Sequence, residues 1–534
     1  MDGKGKQYLM GLAVLAVTVI LRLPAFWTPI LDVDESQFAG FASAMMDSGL
    51  PFLASVDTKP LGIYYFFAAI FSVFGKNNMI AVHAITAIWV WATAIFCYRI
   101  GRLLYSKRAG WIAAFCYAVF TTTYIPKFMS TSIIIIMMLP LTISIYNIIC
   151  WEKDRQNYHL VVSGILFGVA SLFKYQAGVN LFLIALYFLL FAPLYTRGGP
   201  SRPKLKPFLI FTLSGVLVGF VFFLYLKSSG MWNAFVFWSL KGSANYIDVG
   251  AVASDFMKRL LIRGGAFIAS SAILWYFGIR EIFSLIRHLY SSERQMKGPE
   301  RYIPLLWFIV SIVPVCTGGR FFGHYFIQLL PALCVMAGGS ISRITKKAIA
   351  NNQSRRIKRL YAILLIGMFI PAAGFFAARV YADEIYAAIG EDNPNNYRPL
   401  GEYIKERTKS GDKIFVWGFA TPVYYFANRS AASRFLWCDW LTGRIAGSPT
   451  AKNPLFDTSD YITPRSWDMF FEDLERNKPV YIVDTSVGDY HDYGKYPVAI
   501  YPKLVKYLDE HYVYEAQFEG ADFYRRKNGK GKSK

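Results

Sequence analysis

Apolar runs of roughly 20 residues, each able to cross a ~30 Å hydrocarbon core, recur from Met10 to Arg379. In lipid the backbone of such runs is satisfied only within helices or closed barrels, and runs this continuous are helical. Hydropathy predicts spans at about 8–27, 79–104, 109–126, 131–150, 159–174, 176–194, 207–226, 265–283, 302–317, 324–342 and 360–380. Composition agrees: 54% of the chain is hydrophobic and 17% charged, where a soluble protein carries about 25% charged residues. The chain reads as a polytopic α-helical membrane protein with about 11 transmembrane helices.

Charge fixes the sidedness. The first 380 residues hold 36 basic and 13 acidic side chains, and residues 381–534 hold 21 and 22. The basic excess lies in short loops between apolar runs, a positive-inside pattern rather than a basic face, which excludes nucleic acid as a partner. Segment 60–75 is apolar enough to be counted as a further span. If it crossed, the loops around Arg99–Arg108, Arg197–Lys206, Arg280–Arg301 and Arg343–Arg359 would all face outward. Read as an interfacial or re-entrant helix, it puts all four inside, with Tyr64 and Tyr65 at interfacial depth. The N-terminus is then cytoplasmic, and loops 28–78, 227–264 and 317–323 lie on the outer side. No small-residue cleavage site follows Leu9–Ile20, so the first run is expected to remain as a span. The six cysteines show no metal or disulfide spacing. The expected location is the cytoplasmic (inner) membrane.

Beyond residue 380 the hydropathy drops and short β-rich runs (Lys413–Gly418, Val480–Asp484, Tyr512–Phe518, Asp522–Arg526) alternate with helical patterns (Tyr397–Arg407, Ser466–Arg476, Ala499–His511). This predicts two domains: a multi-spanning membrane domain over 1–380 carrying the outer loop 28–78, and a soluble α/β domain over 381–534 on the outer face. The chain shows no internal repeat of the kind that builds transporters from inverted halves.

Ionisable groups at a membrane are costly and therefore point to function. The first outer loop contains Asp32-Val33-Asp34-Glu35. Asp34 and Glu35 fit two readings, a cap on the helix that follows and a general base acting on an incoming hydroxyl. Asp57 and Lys59 lie just before the interfacial helix, where Lys59 could also snorkel to lipid phosphates. Lys174 interrupts a long apolar stretch at the outer end of a span. Arg320, His324 and Tyr325 join two spans on the same side, where His324 could equally be a core histidine. The aromatic loop 227–264, with Trp232, Trp238 and Tyr246, fits sugar stacking or an interfacial belt. A carboxylate facing Lys59, Lys174 and Arg320 describes displacement at a phosphate-linked carbon, with the phosphate as leaving group.

Asp34-Glu35, Lys59-Pro60 before a short helix, the turn at Lys174 and Arg320-xxx-His324-Tyr325-xxxxx-Pro331 together resemble the GT-C glycosyltransferases. The nearest branch holds the protein O-mannosyltransferases and the bacterial lipid A aminoarabinose and core-sugar transferases. Val416-Trp417-Gly418, Pro422-Val423-Tyr424 and Arg434-Phe435 resemble the soluble ends of bacterial members. The resemblance implies a GT-C fold and an inverting transfer of sugar from a polyprenyl-phosphate donor to a glycan, lipid or protein acceptor. It implies Asp34 as base with Glu35 beside it, and Lys59, Lys174, Arg320, His324 and Tyr325 around the donor phosphate. Many relatives carry a second acid at the outer start of the fourth span. Here Lys127-Phe128-Met129-Ser130-Thr131-Ser132-Ile133 has none, so Asp57 or Glu35 substitutes or a single base suffices. No cofactor is required, and a divalent metal is possible without support. The alternative function is a transporter or flippase of a lipid-linked glycan, which would place charge at mid-membrane.

Overall fold

The computed structural model describes residues 3–124, 126–194, 202–242, 256–290, 298–380, 393–444 and 453–527. Contacts divide the chain into two compact units: residues 1–28, 82–229 and 256–381 form one, and residues 29–81, 230–255 and 382–534 form the other.

The first unit is helical. Together with the first turn of Met79–Leu104, which starts in the second unit, the described residues give eight helices long and apolar enough to cross a membrane, and nine if one bent pair counts as a span. Every one of the eleven expected spans falls on helix, but three depart from a simple crossing. Lys107–Phe120 and Tyr158–Phe173 have only 14 and 16 residues. The span expected at 265–283 is broken: Phe256–Ser270 and Ala272–Leu289 meet at 94° around Ser271, whose backbone (φ −127°, ψ 27°) is not helical. Hydropathy is blind to such a break, because the residues on either side stay apolar.

The helices pack through small residues, which let backbones approach closely. A side chain on Gly164 would collide with the Phe211 carbonyl of Leu205–Ser228, and one on Gly338 with the Ala109 carbonyl of Lys107–Phe120. Buried charges inside this unit include Arg22, Glu281 and Glu152, each with polar partners. Arg22, 2% exposed, donates to the carbonyls of Met129 (2.7 Å), Thr121 (3.3 Å) and Phe128 (3.3 Å), tying the first helix to the 121–132 loop. Glu281 pairs with both ends of Arg343, and Glu152 meets Lys204 at 2.9 Å and Arg155 at 2.7 Å.

The second unit is built on a five-stranded sheet of order β2-β1-β3-β5-β4, with β1 Lys413–Trp417, β2 Ser430–Ala431, β3 Tyr481–Asp484, β4 Tyr512–Phe518 and β5 Ala521–Arg526. β1 runs parallel to both β2 and β3, while β5 pairs antiparallel with β3 and β4. The four expected strands and three expected helices are present; the two-residue β2 and the short helices Pro422–Ala427 and Asp439–Thr442 are among the new elements. The loop expected to belong to the membrane half packs against this sheet layer. The Ser36 and Thr421 hydroxyls lie 2.6 Å apart, and the Val56 N–H donates to the Arg434 carbonyl at 3.1 Å. Arg434 is itself clamped by Asp473, which accepts from its backbone N, Nε and Nη2 at 2.9 Å each. Helix Gly62–Phe74 has 13 residues, too short to span.

Candidate active site

The acidic cluster sits on the first turn of helix Val33–Ser48 in the second unit. Asp32 is its cap: the backbone is extended (φ −157°, ψ 146°) and the carboxylate accepts from the Asp34 N–H at 2.9 Å. Glu35, 1% exposed, reaches back to accept from the Leu31 N–H at 2.8 Å. The pair Asp32 and Glu35, three residues apart, thus braces the turn from both sides, much as a capping box does. Asp34 is the least buried of the three acids. The capping role expected of Asp34 and Glu35 therefore falls to Asp32. Burial pushes the nearby Tyr425 phenol up, and the charge of Glu35 adds to the rise while Arg398 opposes it.

Asp57 is 2% exposed and meets four donors: the Tyr64 hydroxyl, the Thr58 N–H at 2.6 Å, the Thr58 hydroxyl at 3.4 Å and Lys59 Nζ at 3.1 Å. Lys59 also donates to Gln37 Oε1 at 3.0 Å, and its ammonium lies 5.3 Å from the Phe38 ring centroid and 5.7 Å from that of Trp437. Gln37 comes from the Asp34 helix, so Lys59 ties that helix to the segment before Gly62–Phe74. The Ser239 hydroxyl donates to the Thr58 and Lys59 carbonyls at 3.0 and 3.1 Å. Trp238 packs edge-on against Phe435 and Trp440, which makes it a core residue of this unit rather than a belt residue. Tyr246 lies outside the described residues.

The remaining cations belong to the first unit. Lys174 ends helix Tyr158–Phe173 with an extended backbone, and its ammonium stands 4.1 Å from the Tyr325 ring centroid. Tyr325 in turn is edge-on to His324 at 4.8 Å, and His324 stacks on Phe322 at 6.0 Å. Arg320, 2% exposed, follows two glycines with positive φ (Gly318, 74°; Gly319, 62°) and precedes Phe321, also positive at 47°. Such a run is affordable for glycine and strained for phenylalanine.

Sequence reasoning missed Arg263. Its Nη1 donates to the Arg320 carbonyl at 3.0 Å and its guanidinium lies 5.4 Å from the Phe322 ring centroid. The signal was available: Lys258, Arg259 and Arg263 place basic residues on a loop that positive-inside bias would leave neutral. Beneath these groups lies an aromatic bed in which Tyr124 contacts Phe128, Phe267 and Phe326, with its hydroxyl donating to the Arg263 carbonyl at 2.7 Å.

The structure thus brings Asp34, Glu35, Asp57 and Lys59 together in one unit, and Lys174, Arg320, His324 and Tyr325 in the other. Among the described residues no group of three His, Cys, Asp or Glu side chains could hold a metal ion.

Residues 58–225 match the family model of dolichyl-phosphate-mannose-protein mannosyltransferases. No curated protein matches the chain in sequence. Among solved structures, ArnT from Cupriavidus metallidurans bound to undecaprenyl phosphate is similar at 13% identity and TM-score 0.59, over 98% of each chain. The Archaeoglobus fulgidus oligosaccharyltransferase tethered to an acceptor peptide with an NVT sequon is similar at 14% identity and TM-score 0.56, over 98% of this chain and 74% of that one. Archaeal oligosaccharyltransferase AglB from Archaeoglobus fulgidus, with an inhibitory peptide and a dolichol-phosphate, gives 14% identity and TM-score 0.54. Residues 58–225 thus resemble that mannosyltransferase family, and nearly the whole chain shares the fold of these solved structures.

Proposed function

We propose that the chain is an inverting transferase that moves a sugar from a polyprenyl-phosphate donor to a lipid A, core-glycan, envelope-glycan or protein acceptor at the outer face of the cytoplasmic membrane. The observation that carries this reading is the division of labour on the acidic turn. Asp32 caps the helix and Glu35 braces the chain before it, so the turn holds a third, more exposed carboxylate in a fixed place. In this reading Asp34 takes the proton from the acceptor hydroxyl as that oxygen attacks the anomeric carbon. The bond from that carbon to the phosphate oxygen breaks, and the configuration inverts.

The leaving polyprenyl phosphate gains charge, and Lys174 and Arg320 stabilise it, Arg320 through two parallel N–H bonds and Lys174 as a point charge. Tyr325 supports Lys174 through its ring, and His324 supports Tyr325 in turn. Lys59, held by Asp57 and Gln37, orders the loop beside the base and adds a third cation. The family-model match and the likeness to a transferase holding undecaprenyl phosphate support a lipid-phosphate donor.

The test is donor turnover by the full-length protein in detergent micelles with a labelled polyprenyl-phosphate sugar. Release of polyprenyl phosphate that depends on Asp34 supports the assignment; no release with any acceptor extract removes it. Mass spectrometry of lipid A, core glycan and surface glycoproteins from a deletion strain names the acceptor. Reporter fusions after Leu205 and Ser354 should read cytoplasmic and one after Gly411 external, and a cytoplasmic Gly411 fusion would put the soluble domain on the wrong side.

A further inference from the structure

The turn between helices Leu330–Ala350 and Ser354–Val380, far in sequence from every residue of the transfer reaction, carries an intense positive charge. Lys346, Lys347, Arg355, Arg356, Lys358 and Arg359 are all exposed, and no Asp or Glu lies between residues 343 and 359. Of the cations in this stretch, Arg343 meets a carboxylate, that of Glu281; the other six form no ion pair among the described residues. Uncompensated like charges packed this closely repel one another, so the arrangement is costly unless an anion joins it.

A cavity of about 640 Å³ opens among them, lined by Asn352, Gln353, Ser354, Arg355, Arg356 and Arg359. Its floor is organised: Arg356 Nη1 donates to Gln353 Oε1 at 3.1 Å, and the Gln353 carbonyl accepts from the Arg356 and Ile357 N–H groups at 3.0 and 3.2 Å. Three guanidiniums, two amides and a hydroxyl form a donor-rich lining that matches a phosphate oxygen cluster.

What lies below the cavity indicates the source of that phosphate. Arg359, Ile363, Ile366 and Ile370 follow one another at spacings of four, three and four, which is one stripe along the helix. The three isoleucines are exposed, and the helix is one of the membrane-length apolar helices. A soluble anion has no use for such a stripe, whereas acyl chains do.

We propose that this cavity binds the headgroup phosphate of an anionic membrane phospholipid, with its chains lying along Ile363, Ile366 and Ile370. Basic clusters at the end of a membrane helix attract anionic headgroups, each Lys or Arg adding to the affinity. The site is separate from the donor site, because the donor reading uses none of these residues.

The experiment uses full-length protein in neutral detergent with phosphatidylglycerol or phosphatidylcholine added, and native mass spectrometry to count retained lipid. Phosphatidylglycerol should be retained selectively by the wild type. The triple variant Arg355→Gln, Arg356→Gln, Arg359→Gln should hold it on the order of a hundredfold more weakly. The corresponding triple Arg→Lys variant should recover most of the retention, which also shows that the altered turn still folds. A control that removes the same charge elsewhere, Lys206→Gln, Arg280→Gln, Arg287→Gln, should bind as the wild type does. Equal loss in that control, equal retention of phosphatidylcholine, or full displacement by inorganic phosphate at matched concentration would each overturn the proposal, the last by reassigning the cavity to a soluble anion.

Discussion

The acids and the cations of the proposed reaction are held in opposite ways. In the second unit the carboxylates are fixed by hydrogen bonds to backbone and side-chain donors: Asp32 to Asp34 N–H, Glu35 to Leu31 N–H, Asp57 to the Thr58 N–H and hydroxyl and to Tyr64. In the first unit the cations rest on rings and on strained backbone: Lys174 over Tyr325, Arg263 over Phe322, Arg320 between Gly319 and Phe321 in left-handed conformation. Hydrogen bonds fix an acid within a few tenths of an ångström, which a proton transfer needs. A ring face attracts a cation without consuming its N–H donors. The comparison therefore gives the acidic turn a hydrogen-bonded frame and the cations an aromatic one.

The strongest way to break that comparison is Asp34→Asn. Asn caps and turns nearly as well as Asp, and the Asp34 N–H bond to Asp32 does not involve the altered atoms. Transfer should fall about 10²–10⁴-fold, the usual contribution of a positioned base, with expression and donor binding unchanged. Labelled-donor turnover, read beside donor binding, decides it; a variant working at more than a tenth of the wild-type rate removes Asp34 from the reaction.

Next in size are the cations. Arg320→Lys keeps the charge and loses the planar fork, and Lys174→Ala removes a charge that rests on Tyr325. Each should slow turnover by roughly ten- to a hundredfold, the scale expected for one electrostatic contact to the leaving group. Tyr325→Leu separates the two halves of the argument: if the ring holds Lys174, this variant should move in the same direction as Lys174→Ala by a smaller amount. Wild-type rates in both cation variants would show that phosphate is gripped elsewhere, with Arg263 the next residue to test.

How far the sequence disclosed this site follows from the range of the interactions. The capping pattern Asp32-x-x-Glu35 and the pair Asp57-x-Lys59 are local, so their residues stood out as a cluster although Asp32 was overlooked as the cap. The strands of the sheet were legible because alternation and β-branched content are local signals too. Gln37 beside Lys59, Trp437 over it and Arg263 on the Arg320 carbonyl come together across 22, 378 and 57 residues, and no periodicity encodes that. The break at Ser271 stayed hidden for a different reason: hydropathy averages over a window longer than the kink.

A structural carboxylate supplies the contrast that the comparison needs. Asp473, 1% exposed, holds Arg434 and Arg476, and through the Arg434 carbonyl it supports the loop at Val56. Asp473→Asn leaves the partly buried Arg434 without its counter-charge, so it should cost about 2–3 kcal/mol, at or below the scale of a broken buried pair. Thermal melting should register that cost, while the turnover of the protein that remains folded should stay within twofold of wild type. A large fall in turnover at unchanged melting temperature would make Asp473 part of the chemistry and blur the line between the two kinds of acid.

The smallest expected effect is the most discriminating, and it concerns Glu35. Its carboxylate is buried and accepts from the Leu31 N–H, a bond that the Gln amide oxygen can also accept. Glu35→Gln therefore keeps the brace and removes only the charge. If Glu35 positions the turn, turnover should drop a few-fold at most. Glu35→Ala, which removes the acceptor and leaves the Leu31 N–H without it, should cost distinctly more, through loop order rather than through proton transfer. That pattern, mild for Gln and severe for Ala, is the signature of a positioning residue. The reverse pattern, a dead Glu35→Gln beside an active Asp34→Asn, would transfer the role of base to Glu35. It would also mean that a carboxylate 1% exposed takes the proton, leaving the more exposed Asp34 to orient the turn.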